Sequence, residues 1–174
     1  MLRKIKGMPV SAAVIIMVVC VLVGVALGNA NALRAAAKGV ADAETAVRQY
    51  SQARAIKAGN LLIPAKRLIA DDPATAALSR AIDAQKLAKS ITKLSEANAN
   101  LTDAVRAMWD VLNPIAVEPD RGPVVGELDV FESETILLKR KVNEYNESVQ
   151  KVRQTLAALP FKFLLQGAVP EVYP

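Results

Sequence analysis

The sequence has no histidine, which removes the commonest general base and the commonest metal ligand together. Its single cysteine, Cys20, lies within an apolar run and can form no internal disulfide. Triads that depend on histidine and the usual zinc sites are therefore excluded. We expect no enzymatic activity, no catalytic residue, no bound metal and no cofactor.

Aromatic residues are also scarce, at 4% of a chain of 174 residues that is 52% apolar. A core built mainly from alanine, leucine, valine and isoleucine, with proline concentrated between periodic segments, favours packed helices over sheets. The net charge is +5, but three of these charges come from Arg3, Lys4 and Lys6. The remainder carries too little positive charge, and too few aromatic side chains for stacking, for a nucleic-acid partner.

The most apolar stretch runs from Val10 to Leu27, with Ser11 as its only polar residue. Eighteen helical residues span roughly 27 Å, close to the ~30 Å hydrocarbon core of a bilayer. We therefore predict a basic tail over residues 1–8 and a transmembrane helix over residues 9–28. The alternative is a cleaved secretory signal, although this run exceeds the length of a typical signal core, roughly 7–15 residues.

Basic residues are slightly more frequent before this run than after it. Arg3, Lys4 and Lys6 precede it, and Arg34 and Lys38 follow it. This bias predicts a cytoplasmic N-terminus and an extracytoplasmic remainder.

Three stretches carry residues at alternating spacings of three and four, which is typical of helices with one buried face. The first stretch contains Leu33, Ala36, Val40, Ala43, Val47 and Tyr50. The second contains Ala84, Leu87, Ile91, Leu94, Asn98, Leu101, Val105, Met108 and Leu112. The third contains Leu128, Phe131, Thr135, Leu138, Val142, Tyr145, Val149, Val152, Leu156 and Leu159. We predict an all-α protein in which the transmembrane helix continues into a long antiparallel bundle of three to four helices over residues 29–160.

Two cations, Arg54 and Lys57, occupy the next buried-face positions of the first helix. Either their aliphatic stems carry the charges out to water, or they form a paired or partner-facing basic site near the end of the helix, where the helix dipole favours cations. We expect Gly59 and Pro64 to kink or end this helix.

The second helix should begin at Asp71-Asp72-Pro73, because aspartate caps helices and proline suits the first helical position. We predict that it continues without a break to Leu112. Asn98 interrupts its apolar face. Either Ala97 takes the buried place and the amide stays in water, or a buried amide fixes the register of the helices.

A segment of three prolines and two glycines, residues 113–126, is predicted to be a loop between the second and third long helices. The third helix should then begin near Leu128 and stop at Pro160. The tail over residues 161–174 is too apolar to extend into water, so we expect it to fold back on the bundle or on the membrane surface.

Two motifs, one in each half of the chain, resemble those of the LemA family in their order and spacing. The C-terminal motif comprises Tyr145-Asn146-Glu147-Ser148-Val149, followed by Val152, Leu156 and Leu159-Pro160. The upstream motif comprises Val40, Ala43, Val47, Arg54, Asn60-Leu61-Leu62 and Lys66. The resemblance covers nearly the whole chain and implies a membrane-anchored antiparallel helical bundle with no established enzymatic activity. The candidate interaction or structural residues are Arg54, Lys57, Asn60, Tyr145 and Asn146.

Together these features predict a structural or adaptor protein of the bacterial cell membrane, with one span and a periplasmic bundle. Its predicted partners are the lipid bilayer, an unidentified envelope or membrane protein, and further copies of the chain. The alternatives are a regulator of a membrane protease or transporter, and an accessory protein of membrane shape or of an organelle.

Overall fold

The computed structural model describes residues 10–117, 121–158 and 170–174, with only some of the side chains described between residues 10 and 27. All regular structure in this part of the chain is helical, which confirms the predicted all-α class. The helices are α1 (Val10–Leu68), α2 (Pro73–Leu87), α3 (Ile91–Leu112) and α4 (Arg121–Ala157). The predicted basic tail at residues 1–8 lies outside the described residues, as do residues 161–169 of the predicted C-terminal tail.

The helices form an antiparallel bundle. Asn60 of α1 is hydrogen-bonded to Glu127 of α4. Arg54, six residues earlier in α1, is hydrogen-bonded to Thr135, eight residues later in α4, so these two helices run in opposite directions. The short connections around α2 reverse the chain twice more, and α1 contacts each of the other three helices. The predicted helical bundle is therefore confirmed, with α1 as its central element.

The first helix is longer than it would be if it ended at Gly59 or Pro64, which was one of the two alternatives predicted. It continues through Gly59 and Pro64 and ends at Leu68, so the alternative that these residues end the helix is wrong. An interior proline costs a helix about 3 kcal/mol. Leu61 and Ala65 are fully buried on either side of Pro64, and their burial favours continuation of the helix.

The predicted second helix is in fact two helices, because the chain breaks between α2 and α3. Ala84 and Leu87, which were predicted to face the core, are exposed. Ser90 caps α3 by accepting a hydrogen bond from the backbone N–H three residues later, at 3.2 Å. Arg48 of α1 donates to the carbonyls of the two residues that follow α2, at 3.2 and 2.7 Å. These contacts satisfy polar groups that the break leaves without helical partners.

Two helix starts show how proline is used in this fold. Asp72 accepts a hydrogen bond from a backbone N–H at 2.8 Å, and Pro73 is the first residue of α2, as predicted. α4 begins at Arg121 and not near Leu128, so the predicted loop over residues 113–126 is too long. Pro123 lies in the first turn of α4, where the missing N–H of a proline is not needed. Val124, the next residue, is buried.

The buried apolar residues form two clusters at different levels of the bundle. The distal cluster includes Ala55, Ala58, Leu61, Leu78, Leu101, Val105, Met108, Leu112 and Phe131. The stalk-side cluster includes Val40, Val47, Ile91, Leu94, Leu138, Tyr145, Val149 and Val152. The buried faces predicted for the first stretch, for α3 and for α4 are confirmed, since their members are buried or half-buried wherever their side chains are described.

The N-terminal part of α1 extends beyond the bundle. Leu33 is the first of its described side chains to pack against a core cluster. Before it, the described side chains of Ile16, Met17 and Val18 are exposed. We refer to residues 10–32 as the stalk. Among the residues that the structure describes, no helix has both the length and the hydropathy needed to cross a membrane.

A candidate functional site around Arg54

Arg54 lies between the two apolar clusters, and only 2% of it is exposed to solvent. The expectation that its charge reaches water is therefore wrong. It also lies fourteen residues before the end of α1 at Leu68, so the helix terminus does not account for the cation. Its buried position requires compensation from the groups around it.

Each nitrogen of the Arg54 guanidinium donates a hydrogen bond to a neutral acceptor. Nε donates to Thr135 Oγ1 of α4 at 3.0 Å. Nη1 donates to Asn98 Oδ1 and Nη2 to Thr102 Oγ1, both in α3 and both at 2.8 Å. The guanidinium carbon lies 4.7 Å from the centre of the Phe131 ring, within range of a cation–π contact. Arg54 thus joins α1 to both α3 and α4.

The two threonines are oriented to accept from Arg54. Thr102 donates its hydroxyl hydrogen to the Asn98 carbonyl at 2.9 Å, and Thr135 donates to the Phe131 carbonyl at 2.8 Å. Both bonds run back along the threonine's own helix to the residue four positions earlier. Because the hydroxyl hydrogens are used there, the oxygen lone pairs are left for the guanidinium.

Asn98 connects the guanidinium to the remaining polar groups of this level. Its Oδ1 also accepts from Gln85 Nε2 at 3.1 Å, and its Nδ2 lies 2.9 Å from Ser51 Oγ and 2.8 Å from Tyr173 Oη. Asn98 is buried, so the expectation that its amide stays in water is wrong. Ala97 is buried as well and does not displace it. We call Ser51, Arg54, Gln85, Asn98, Thr102, Thr135 and Tyr173 the polar layer.

No carboxylate of the described residues forms an ion pair with Arg54. Burial lowers the pKa of Arg54 to about 10, and the interaction with Tyr173 partly opposes this effect. The side chain therefore remains a cation at neutral pH. The polar layer holds a buried positive charge with neutral oxygen atoms and one aromatic ring.

Tyr145 and Asn146 hold the segment 170–174 against the bundle. Tyr145 Oη donates to the Glu171 carbonyl at 2.7 Å. Asn146 accepts from the backbone N–H of Tyr173 at 2.9 Å and donates to its carbonyl at 3.1 Å. This pair of bonds engages the backbone of one residue, so Asn146 acts as a clamp on the segment 170–174.

Tyr173 carries this segment into the polar layer. Its ring is buried with the stalk-side cluster. Burial raises the pKa of its phenol, while hydrogen bonds with Asn98 and Ser95 and the charge of Arg54 act in the opposite direction. At least this part of the predicted tail folds back on the bundle. Arg54 and the pair Tyr145-Asn146 therefore belong to one connected site.

The other two predicted residues do not join this site. Lys57 is half-buried and has no hydrogen-bond or ion-pair partner among the described residues. Asn60 donates to Glu127 Oε2 at 3.1 Å. It lines a separate cleft of about 450 Å³ that also includes Pro64 and Pro123.

Sequence reasoning missed four members of the polar layer: Ser51, Gln85, Thr102 and Tyr173. Thr102 follows Asn98 by four residues, so helical spacing could have placed it on the same face. Tyr173 lies 75 residues from Asn98, and no local pattern connects the two.

No protein-family model and no curated protein matches this chain. Among the residues described, no three potential metal ligands come together. Most groups of the polar layer are engaged with one another, so the arrangement is suited to holding helices and a peptide segment together and to donating hydrogen bonds.

Proposed function

We propose that this chain is a non-enzymatic, membrane-anchored structural or adaptor protein of LemA type, whose bundle binds envelope proteins or further copies of itself. The observation that carries this proposal is the stalk. Its 23 residues cover about 34 Å of helix, and its described side chains at Ile16, Met17 and Val18 are exposed. An apolar helix of this kind is stable when a bilayer or another protein covers it.

We infer that residues 9–28 anchor the chain and that the bundle is extracytoplasmic. The support is the run of eighteen residues in which only Ser11 is polar and the excess of basic residues before it. The helical backbone is continuous from Val10 into the bundle, as an anchor attached directly to a rigid domain requires.

A binding role is also supported by the chemistry of the polar layer. Its side chains are used in contacts between helices and with the segment 170–174. The clamp formed by Asn146, which holds the backbone of Tyr173 in the segment 170–174, supports this role.

Topology is the first test. In a Cys20→Ser background, cysteines introduced at the exposed positions Ala37 and Gln150 should react with a membrane-impermeant maleimide in intact spheroplasts. A cysteine introduced at Lys6 is the matched control and should react only after the membrane is permeabilised. Reaction of Ala37→Cys and Gln150→Cys only after permeabilisation would overturn the proposed orientation.

The binding role is tested separately, by native mass measurement and affinity purification from gently solubilised membranes. We expect the full chain to appear as a complex with itself or with a reproducible membrane protein. A variant lacking residues 1–28 should lose membrane association. A full chain that is monomeric and without co-purifying protein would contradict the adaptor role, whatever its topology.

A further inference from the structure

The outer face of the distal part of α1 carries two isoleucines that the bundle does not cover. Ile56 is 59% exposed and Ile63 is 71% exposed. Each lies two residues from a fully buried alanine, Ala58 or Ala65. At 3.6 residues per turn, side chains two residues apart point about 160° from one another, so both isoleucines face away from the core. Large apolar side chains exposed in line on one helix face are typical of a contact with another protein.

The same face has the periodicity of a coiled coil. Ala53, Ile56, Asn60 and Ile63 follow one another at spacings of three, four and three residues, and none of them is charged. Ala53 and Asn60 are half-buried between the exposed isoleucines. A seam with this spacing packs against the equivalent seam of a second helix, because the side chains of one helix enter the holes of the other. The exposed face of α1 therefore has the pattern that a second long helix requires.

The two edges of this seam match each other when two copies of α1 lie parallel. In a parallel coiled coil, a residue at one edge meets the residue five positions later at the opposite edge of the other helix. Gln52 then meets Lys57 of the second copy, and Gly59 meets its Pro64. Neither Gln52 nor Lys57 has a hydrogen-bond partner among the described residues, and a lysine can donate to a glutamine carbonyl. A Cβ at Gly59 would meet no atom within 4 Å, which leaves room for a proline ring.

A surface that is complementary to itself points to a second copy of the same chain. A two-fold interface uses the same patch on both subunits, so each residue at one edge is matched twice. Chains held in one bilayer by N-terminal helices also project in the same direction, which favours the parallel arrangement. Their confinement to the bilayer raises their effective concentration, so that a contact of modest area is sufficient.

We propose that the outer face of α1 over residues 52–64 is the contact between two parallel copies of this chain. Ile56 and Ile63 pack against the same residues of the second copy across a two-fold axis. Gly59 accommodates the proline ring, and Gln52 accepts a hydrogen bond from Lys57. This inference deepens the proposed function and rests on it, because the parallel orientation follows from the proposed anchor.

Disulfide formation tests the parallel contact in the full chain. In a Cys20→Ser background, Ile56→Cys and Ile63→Cys each place one thiol at the two-fold axis. Oxidation of isolated membranes should give covalent dimers of both variants, because equivalent seam positions of a parallel pair approach the Cα separation of a disulfide, about 4.4–6.8 Å. Ile136→Cys is the matched control and should give no dimer, since Ile136 is 65% exposed but lies on α4 beside α3.

Charge substitution tests whether the same face drives assembly. The double variant Ile56→Lys with Ile63→Lys, purified in a neutral detergent, should be monomeric by native mass measurement at concentrations where the wild type is dimeric. Ile136→Lys is again the control and should remain dimeric. Because all three isoleucines are exposed within a single chain, the helical circular dichroism of every variant should be unchanged.

The results that contradict this proposal also separate it from the adaptor function. A dimer that persists in the double lysine variant would overturn the contact and leave the adaptor function standing. Ile56→Cys and Ile63→Cys chains that link only to each other in a mixture would do the same, because that result indicates an antiparallel pair. So would a single copy bound to a different membrane protein. A monomer without any co-purifying protein would contradict the adaptor function as well.

Discussion

Replacing Arg54 with methionine tests how the polar layer contributes to stability. Methionine keeps most of the length of the side chain and removes its charge and its N–H donors. The substitution takes a donor away from Asn98, Thr102 and Thr135 together. Of these, Asn98 Oδ1 still accepts from Gln85, whereas the two threonine oxygens lose their only donor among the described residues.

The expected effect is a difference between two opposing contributions. Three hydrogen bonds from a charged donor stabilise by about 1.5–3 kcal/mol each, and the contact with Phe131 adds about 1 kcal/mol. Against this, the burial that lowers the pKa of Arg54 to about 10 corresponds to a cost of about 3 kcal/mol. We therefore expect Arg54→Met to reduce the free energy of unfolding by about 2.5–7 kcal/mol.

Urea denaturation followed by circular dichroism measures this loss, and a double-mutant cycle assigns it. Thr102→Val should cost about 1–2 kcal/mol when Arg54 is present and less than about 0.5 kcal/mol in the Arg54→Met background, where no donor is left unpaired. Thr45→Val is the matched control, because Thr45 also donates to its own helix but is exposed. An Arg54→Met protein as stable as the wild type, or equal costs of Thr102→Val in both backgrounds, would refute this account.

Three further predictions concern other parts of the fold. Tyr145→Ala should lower the free energy of unfolding by about 3–5 kcal/mol through the cavity it leaves, and Tyr145→Phe by about 1 kcal/mol through one lost hydrogen bond; equal losses would contradict the packing role. Burial raises the pKa of Tyr145 and of Tyr173 in the folded protein. As pH rises, the unfolded chain therefore releases these two protons before the folded protein does. The stability that the two groups contribute is complete below about pH 10 and falls as pH rises through their folded-state pKa values. The variant with both tyrosines changed to phenylalanine should accordingly lose less stability than the wild type on going from about pH 9 to about pH 11, measured by urea midpoints; an equal loss would be inconsistent with this assignment. Ser90→Ala should lower the free energy of unfolding by about 1 kcal/mol, because it removes the cap of α3. Leu87→Ala, at a side chain that is 75% exposed, should change the urea midpoint little. A loss from Leu87→Ala larger than that from Ser90→Ala would mean that α2 and α3 are one helix in solution.

The helical class and most buried faces could be predicted because alternating three- and four-residue spacing reflects the geometry of the helix itself. The predicted faces also carry polar residues, at Arg54 and Lys57 in the first, at Asn98 in the second and at Thr135 in the third. Arg54, Asn98 and Thr135 meet in one layer because of how the helices are aligned along one another. Periodicity within a single helix does not specify this alignment.

The errors have local physical causes. Leu87 and Ile91 are four residues apart, so the apolar spacing continues across the break between α2 and α3. The capping residue Ser90 is the local signal of this break. Proline predicts a loop at Pro123 and a kink or helix end at Pro64, but Pro123 lies in the first turn of α4 and Pro64 is flanked by buried residues inside α1. Tyr173 could not be placed because a contact between distant segments has no signature in either segment alone.

The continuity of α1 has a mechanical consequence. From Val10 to Arg54 there is no break in the helix, a distance of roughly 66 Å at about 1.5 Å per residue. A helix of this length is stiff under axial load and torsion. A force or rotation applied at the outer end of the stalk is therefore delivered to the interior of the bundle at the level of the guanidinium, with no hinge between the two points to absorb it.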